Sequence, residues 1–136
     1  MAGADLRRDR YMGDSIATAS PARLLVMLYD RLVLDLESAE VAERTGESLV
    51  AAARLRHAQE IILELRASLD VDAWSGGPAL ASLYSWMLNE LIHAGVGGGT
   101  EKIIAVRDAV EPLADAWREA AAMAPSSIAT PTRASA

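Results

Sequence analysis

Between Ser48 and Leu69 the apolar residues Ala51, Leu55, Ala58, Ile62, Leu65 and Leu69 alternate steps of four and three. That spacing lays a single seam along an α-helix and has no counterpart on a strand, where the side-chain period is two. A seam this regular has to be buried against other helices, so it commits the chain around it to helix-on-helix packing. Ile61 falls beside it and widens its C-terminal half.

Three further segments supply the partners. From Pro21 to about Arg44, Leu25, Leu28, Leu32, Leu36 and Ala39 form a stripe. Leu24, Met27 and Leu34 broaden it, which predicts a helix touching more than one neighbour. From Pro78 to Ala94, Leu80, Leu83, Met87, Leu91 and Ala94 share one side. Tyr84, Trp86 and Leu88 carry apolar character nearly all round, so this helix is expected to be buried on more than one side. From Glu101 to Met123, Ile103, Val106, Val110, Leu113, Trp117 and Ala120 repeat the seam, with Pro112 expected to kink the helix near Asp108.

The ends are marked as clearly as the faces. Ser20 is placed to cap the first helix, and Pro21 follows at the first helical position, where a missing N–H is harmless. Gly46 suits a left-handed C-terminal turn, and Gly76-Gly77 with Trp74 lies in a loop before the third helix. After the Gly95 to Gly99 run, Thr100 is expected to cap the fourth. Short connections between helices of similar length predict an all-α, antiparallel up-and-down four-helix bundle. Its extent is read as residues 20–123, preceded by a mobile arm over 1–19 and followed by a disordered Ser/Thr/Pro/Ala-rich tail over 124–136. A 51% apolar composition with only 4% aromatic residues and no Phe agrees with helices rather than sheets.

Charge and composition narrow the function. A formal charge of −6 disfavours a general nucleic-acid binder, and the absence of Cys removes disulfides and thiol chemistry. Residues 1–11 lack the apolar run of a secretory signal, and no window approaches about 18 uninterrupted apolar residues, so no membrane insertion is expected. The expected location is the cytoplasm.

Candidate chemistry is sparse. His57 reads as a solvent-facing residue off the seam, followed by Ala58-Gln59-Glu60 rather than the Leu-Lys-Gly usual in histidine phosphotransfer domains. His57, Glu60 and Glu64 share a helical face, but a di-iron bundle needs Glu-x-x-His on each of two helices. His93 suits the negative end of its helix. The glycine run lacks the phosphate-loop spacing, and no serine has a base and orienter beside it. The residues therefore predict no enzyme, no metal and no cofactor. A helix-binding surface, a phosphotransfer-like signalling module and a purely structural bundle stay open as readings. The extra apolar arcs, with Met27 and Met87 as adaptable groups, suit a groove for an amphipathic segment.

Tyr11, Thr18-Ala19-Ser20-Pro21, Leu24 and Met27-Leu28-Tyr29-Asp30 resemble the N-terminal signature of the flagellar export chaperone family FliS. Ala58-Gln59, Ile61-Ile62, Glu64-Leu65 and Ser68-Leu69-Asp70 are similar to the family's second helix, Leu83-Tyr84 to its third and Trp117-Arg118-Glu119-Ala120 to its fourth. The likeness runs over about residues 11 to 121, with departures at Arg31-Leu32 and Ala94-Gly95. It implies a chaperone for the disordered C-terminal segment of flagellin, one that prevents early polymerisation and delivers its cargo to the export-gate protein FlhA. On this reading Ile61, Ile62, Leu65, Leu69, Leu83, Tyr84 and Met87 contribute to flagellin-facing grooves. Tyr11 and Ile16 cover part of them in the free protein, which is expected to be a monomer or weak dimer.

Overall fold

The structure, a computed structural model, describes residues 20–96 and 98–123. Four helices fill almost all of that span: α1 Pro21–Arg44, α2 Ser48–Ser68, α3 Gly77–Ala94 and α4 Thr100–Met123. They form the antiparallel bundle that the four seams predict.

Local chemistry fixes where each helix starts and stops. Ser20 is extended, and its Oγ accepts the Arg23 N–H at 3.2 Å, leaving Pro21 to open α1. At the other end the Thr45 N–H and hydroxyl both donate to the Val41 carbonyl. Gly46 then takes φ +78°, a conformation that a side chain would strain, and turns the chain into α2. Gly77 opens α3 for a different reason: a Cβ there would collide with the Val71 carbonyl. Thr100 departs from expectation, being the first residue of α4 rather than its cap. The helical ladder already begins one residue earlier, with the Ile103 N–H donating to the Gly99 carbonyl at 2.9 Å. Helix α4 continues through Pro112, and the exposure of Asp108 lets water meet the carbonyl that the proline leaves without a donor.

The core is one cluster to which every helix contributes. Leu32 and Leu36 of α1, Leu55, Ile62 and Leu65 of α2, Met87 and Leu91 of α3, and Ile103, Val106 and Val110 of α4 are all essentially inaccessible to solvent. Helix α1 packs extensively on both α2 and α4, while α3 closes the ring against the same two helices more sparsely. Buried alanines, Ala39 and Ala42 on α1 and Ala51 and Ala58 on α2, keep side-chain bulk low where α1 and α2 approach.

Helices α1 and α3 each touch two neighbours, as their broad apolar arcs predict, yet the outer side of each is open. Met27 and Leu34 are 37% and 57% exposed, because α2 and α4 flank α1 and, among the described residues, no third neighbour reaches its outer side. The outward side of α3 is also in solvent, for the same reason: a four-membered ring gives each helix two neighbours. Among the described residues, no helix is long and apolar enough to cross a membrane.

Candidate functional site

The residues singled out on α2 and α3 come together, but mostly inside the bundle. Ile61, Ile62, Leu65, Tyr84 and Met87 are buried in the core cluster. Leu69 and Leu83 are half-buried and packed against it, so they are the members of this set that reach the surface. Tyr11 and Ile16 lie outside the described residues.

What the surface offers on this side is the outer face of α3. Over its 18 residues the helix carries one residue charged at neutral pH, Glu90, and that carboxylate is turned to Lys102 of α4 at 3.6 Å. Ala79, Ser82, Ser85, Trp86, Asn89 and Ile92 face solvent, with Trp86 38% and Ile92 54% exposed. This solvent face carries no Asp, Glu, Lys or Arg, on a helix that also contributes Leu80, Tyr84, Met87 and Leu91 to the core. Leu63, 55% exposed on α2, adds a further apolar residue to the outer surface of the bundle. Such a surface binds by covering apolar area, and its uncharged polar groups, Ser82, Ser85 and Asn89, supply hydrogen bonding without fixing a charge pattern. The signal is present in the sequence as the near absence of charge from Pro78 to Ala94. Apolar breadth alone does not separate a buried arc from an arc awaiting a partner.

Behind this face, the Tyr29 and Tyr84 hydroxyls meet at 2.6 Å and tie α1 to α3 across the core. Burial pushes the Tyr29 phenol above its ordinary pKa, and burial together with the bond to Tyr29 raises that of Tyr84 strongly, so both rings are neutral throughout the physiological range. Trp117 of α4 packs 6.4 Å from Tyr29 between ring centroids, and Trp74 from the loop before α3 meets Trp117 edge-on at 6.5 Å.

The comparisons with known proteins bear on the whole of this assembly. The family model for the flagellar protein FliS matches residues 4–124. The chain belongs to the FliS family. It is 27% identical over 116 residues to the flagellar secretion chaperone FliS of Bacillus subtilis (strain 168), covering 81% of this chain and 82% of that one. A crystal structure of a bacterial flagellar chaperone has the same fold, with a TM-score of 0.69 at 23% identity over 86% of this chain and 96% of the other.

FliS is a family of chaperones rather than enzymes. His57 is not the freely solvated residue its position off the seam suggests. Its Nδ1 is hydrogen-bonded to Asp35, a carboxylate buried between α1 and α2, with Arg54 Nη1 a further 3.8 Å from the same group. Asp35 lies between Leu32 and Ala39 on the buried stripe, and a charge in that register requires a partner from the facing helix. His93 does sit as expected at the end of α3, its Nδ1 on the Asn89 carbonyl at 2.7 Å. Among the described residues, no three side chains of metal-ligating type come together.

Proposed function

We propose that this FliS-family protein is a cytoplasmic export chaperone that holds the disordered C-terminal segment of flagellin, prevents its premature polymerisation and delivers it to FlhA. The observation that carries this reading is the uncharged outer face of α3, with Trp86 and Ile92 in solvent and Leu69 and Leu83 half-buried beside the core. An amphipathic segment laid there buries its own apolar side and is kept from associating with its like. The segment must fold as it docks, at an ordering cost of about 2–5 kcal/mol or more that buried apolar area has to exceed. Ile61, Ile62, Leu65, Tyr84 and Met87 then act from beneath, as the packed floor on which Leu69 and Leu83 stand. The arm over 1–19 covers part of this surface through Tyr11 and Ile16 until cargo displaces it, and the bundle over 20–123 is the binding domain.

The test is titration of a labelled flagellin C-terminal peptide against the wild-type chain and a Trp86→Asp, Ile92→Asp variant. Truncating a buried aromatic anchor at an interface costs about 2 kcal/mol or more, so affinity should fall at least about thirtyfold while the melting transition stays in place. Undiminished binding by a folded variant rejects the α3 site. Failure of the wild-type chain to bind rejects flagellin as cargo.

A further inference from the structure

The outer face of α1 carries a second apolar line, on the far side of the ring from α3. Met27, Leu34 and Val41 recur every seventh residue and are 37%, 57% and 58% exposed. At 1.5 Å per residue they mark a strip about 21 Å long, one apolar position per heptad along which a partner helix can lie. The grooves on both sides are acidic. Between α1 and α4 the lining carries Asp30, Glu111 and Asp115 against Arg118, with Arg107 beside Glu111 at 3.3 Å. Arg118 is already held by Asp30 at 2.5 Å and Asp115 at 2.8 Å. Between α1 and α2 the lining carries Glu37 and Glu47 and no cation. Of the three arginines of α1, Arg44 is turned back to Glu40 at 2.7 Å, and Arg23 and Arg31 are exposed.

We infer that this face docks a cationic amphipathic helix from another protein, with apolar residues every seventh position and Lys or Arg flanking them. The apolar line supplies the area and the acidic grooves select the flanks. An antiparallel second copy fits poorly, since it sets each acidic groove beside α1 against the same acidic groove of the other copy. The site is distinct from the flagellin surface proposed on α3, and the two are separable by experiment.

The probes are two labelled Ala-rich helical peptides of about 21 residues, long enough to cover the strip, each with Leu every seventh position. One has Lys on both flanks and its twin has Glu; fluorescence anisotropy measures their binding to the full chain. The Lys peptide should bind about tenfold or more tighter than the Glu twin, with the gap narrowing as salt is raised. Leu34→Glu should weaken the Lys peptide about thirtyfold, and the milder Leu34→Gln should do so in the same direction if the first variant melts early. Neither change should alter binding of the flagellin peptide. The inference is overturned if neither peptide binds, if the two bind equally, or if Trp86→Asp rather than Leu34→Glu removes the Lys peptide. It is also overturned if deleting residues 1–19 tightens Lys-peptide binding, which makes the chain's own arm the occupant. Sedimentation revealing a dimer that Leu34→Glu dissolves would assign the face to a second copy instead.

Discussion

Helices α1 and α3 occupy opposite corners of the ring and are held in different ways. Helix α1 is gripped by close packing on both neighbours and by polar ties to each: Asp35 to His57 of α2, Glu40 to Arg107 and Asp30 to Arg118 of α4. Helix α3 packs more sparsely, and among the described residues its ion pairing reduces to Glu90 with Lys102. Directional bonds specify register, whereas apolar contacts tolerate small shifts and substitution by another apolar surface. The bundle thus has a fixed edge and an adaptable edge, and the adaptable edge is the one with an uncharged outer face.

The largest effects should come from the core on the two sides. Leu36→Ala on α1 and Leu91→Ala on α3 both empty a fully buried site, and such changes cost about 2–5 kcal/mol depending on how far the surroundings collapse. If the α3 side is the more adaptable, chemical denaturation will place Leu36→Ala toward the top of that range and Leu91→Ala toward the bottom; equal losses would break the contrast. Asp35→Ala comes next. It removes a buried carboxylate and leaves His57 without its acceptor, at about 1–3 kcal/mol by the same measurement. A loss no larger than that of a surface substitution would mean that the polar tie contributes nothing to the fixed edge.

Among the described residues the one polar bond between α1 and α3, Tyr29 to Tyr84, should declare itself through pH. Both phenols have raised pKa values in the folded chain, so the folded state retains protons that the unfolded chain releases near its ordinary value of about 10. Their contribution is fully present below that pH and is lost as pH rises beyond it. Thermal melts from neutral to strongly alkaline pH should fall more steeply for the wild-type chain than for a Tyr29→Phe, Tyr84→Phe variant. The smallest effect is expected on the outer face of α3. Trp86→Ser should change stability by no more than about 0.5 kcal/mol, and a larger loss would mean that this face belongs to the bundle rather than to a visitor.

Most of the architecture is legible in the chain because the helix ends carry their own chemistry. Ser20-Pro21 and Thr45-Gly46 bound α1, and the alternating seam from Ala51 to Leu65 is buried residue for residue. What the sequence leaves open has one cause. A periodic pattern tells which residues lie on a common face but not how wide an arc the neighbours cover. Met27 and Leu34 extend the α1 stripe as plausibly as Leu32 and Leu36, yet only the latter pair is under a neighbour. On α3 the same ambiguity gives Trp86 the look of core, and across α2 and α3 it does not separate the buried Ile61, Ile62, Tyr84 and Met87 from Leu69 and Leu83, which reach the surface. Asp35 escapes for the opposite reason: its place on the seam is visible, but its partner His57 lies on another helix, and a sequence does not give that pairing.

The aromatic contacts at one end of the ring also equip the protein with its own optical gauge. Trp117 lies on Tyr29, and Trp74, carried by the connection between α2 and α3, meets Trp117 edge-on. Any displacement of that connection relative to α4 changes the surroundings of both indoles, while Trp86 on α3 senses the solvent at the outer face. With three indoles in the chain, Trp74→Phe and Trp86→Phe variants separate the two signals. Emission from the end of the bundle would then follow movement of the connection, and emission from Trp86 arrival of cargo, in one unlabelled titration.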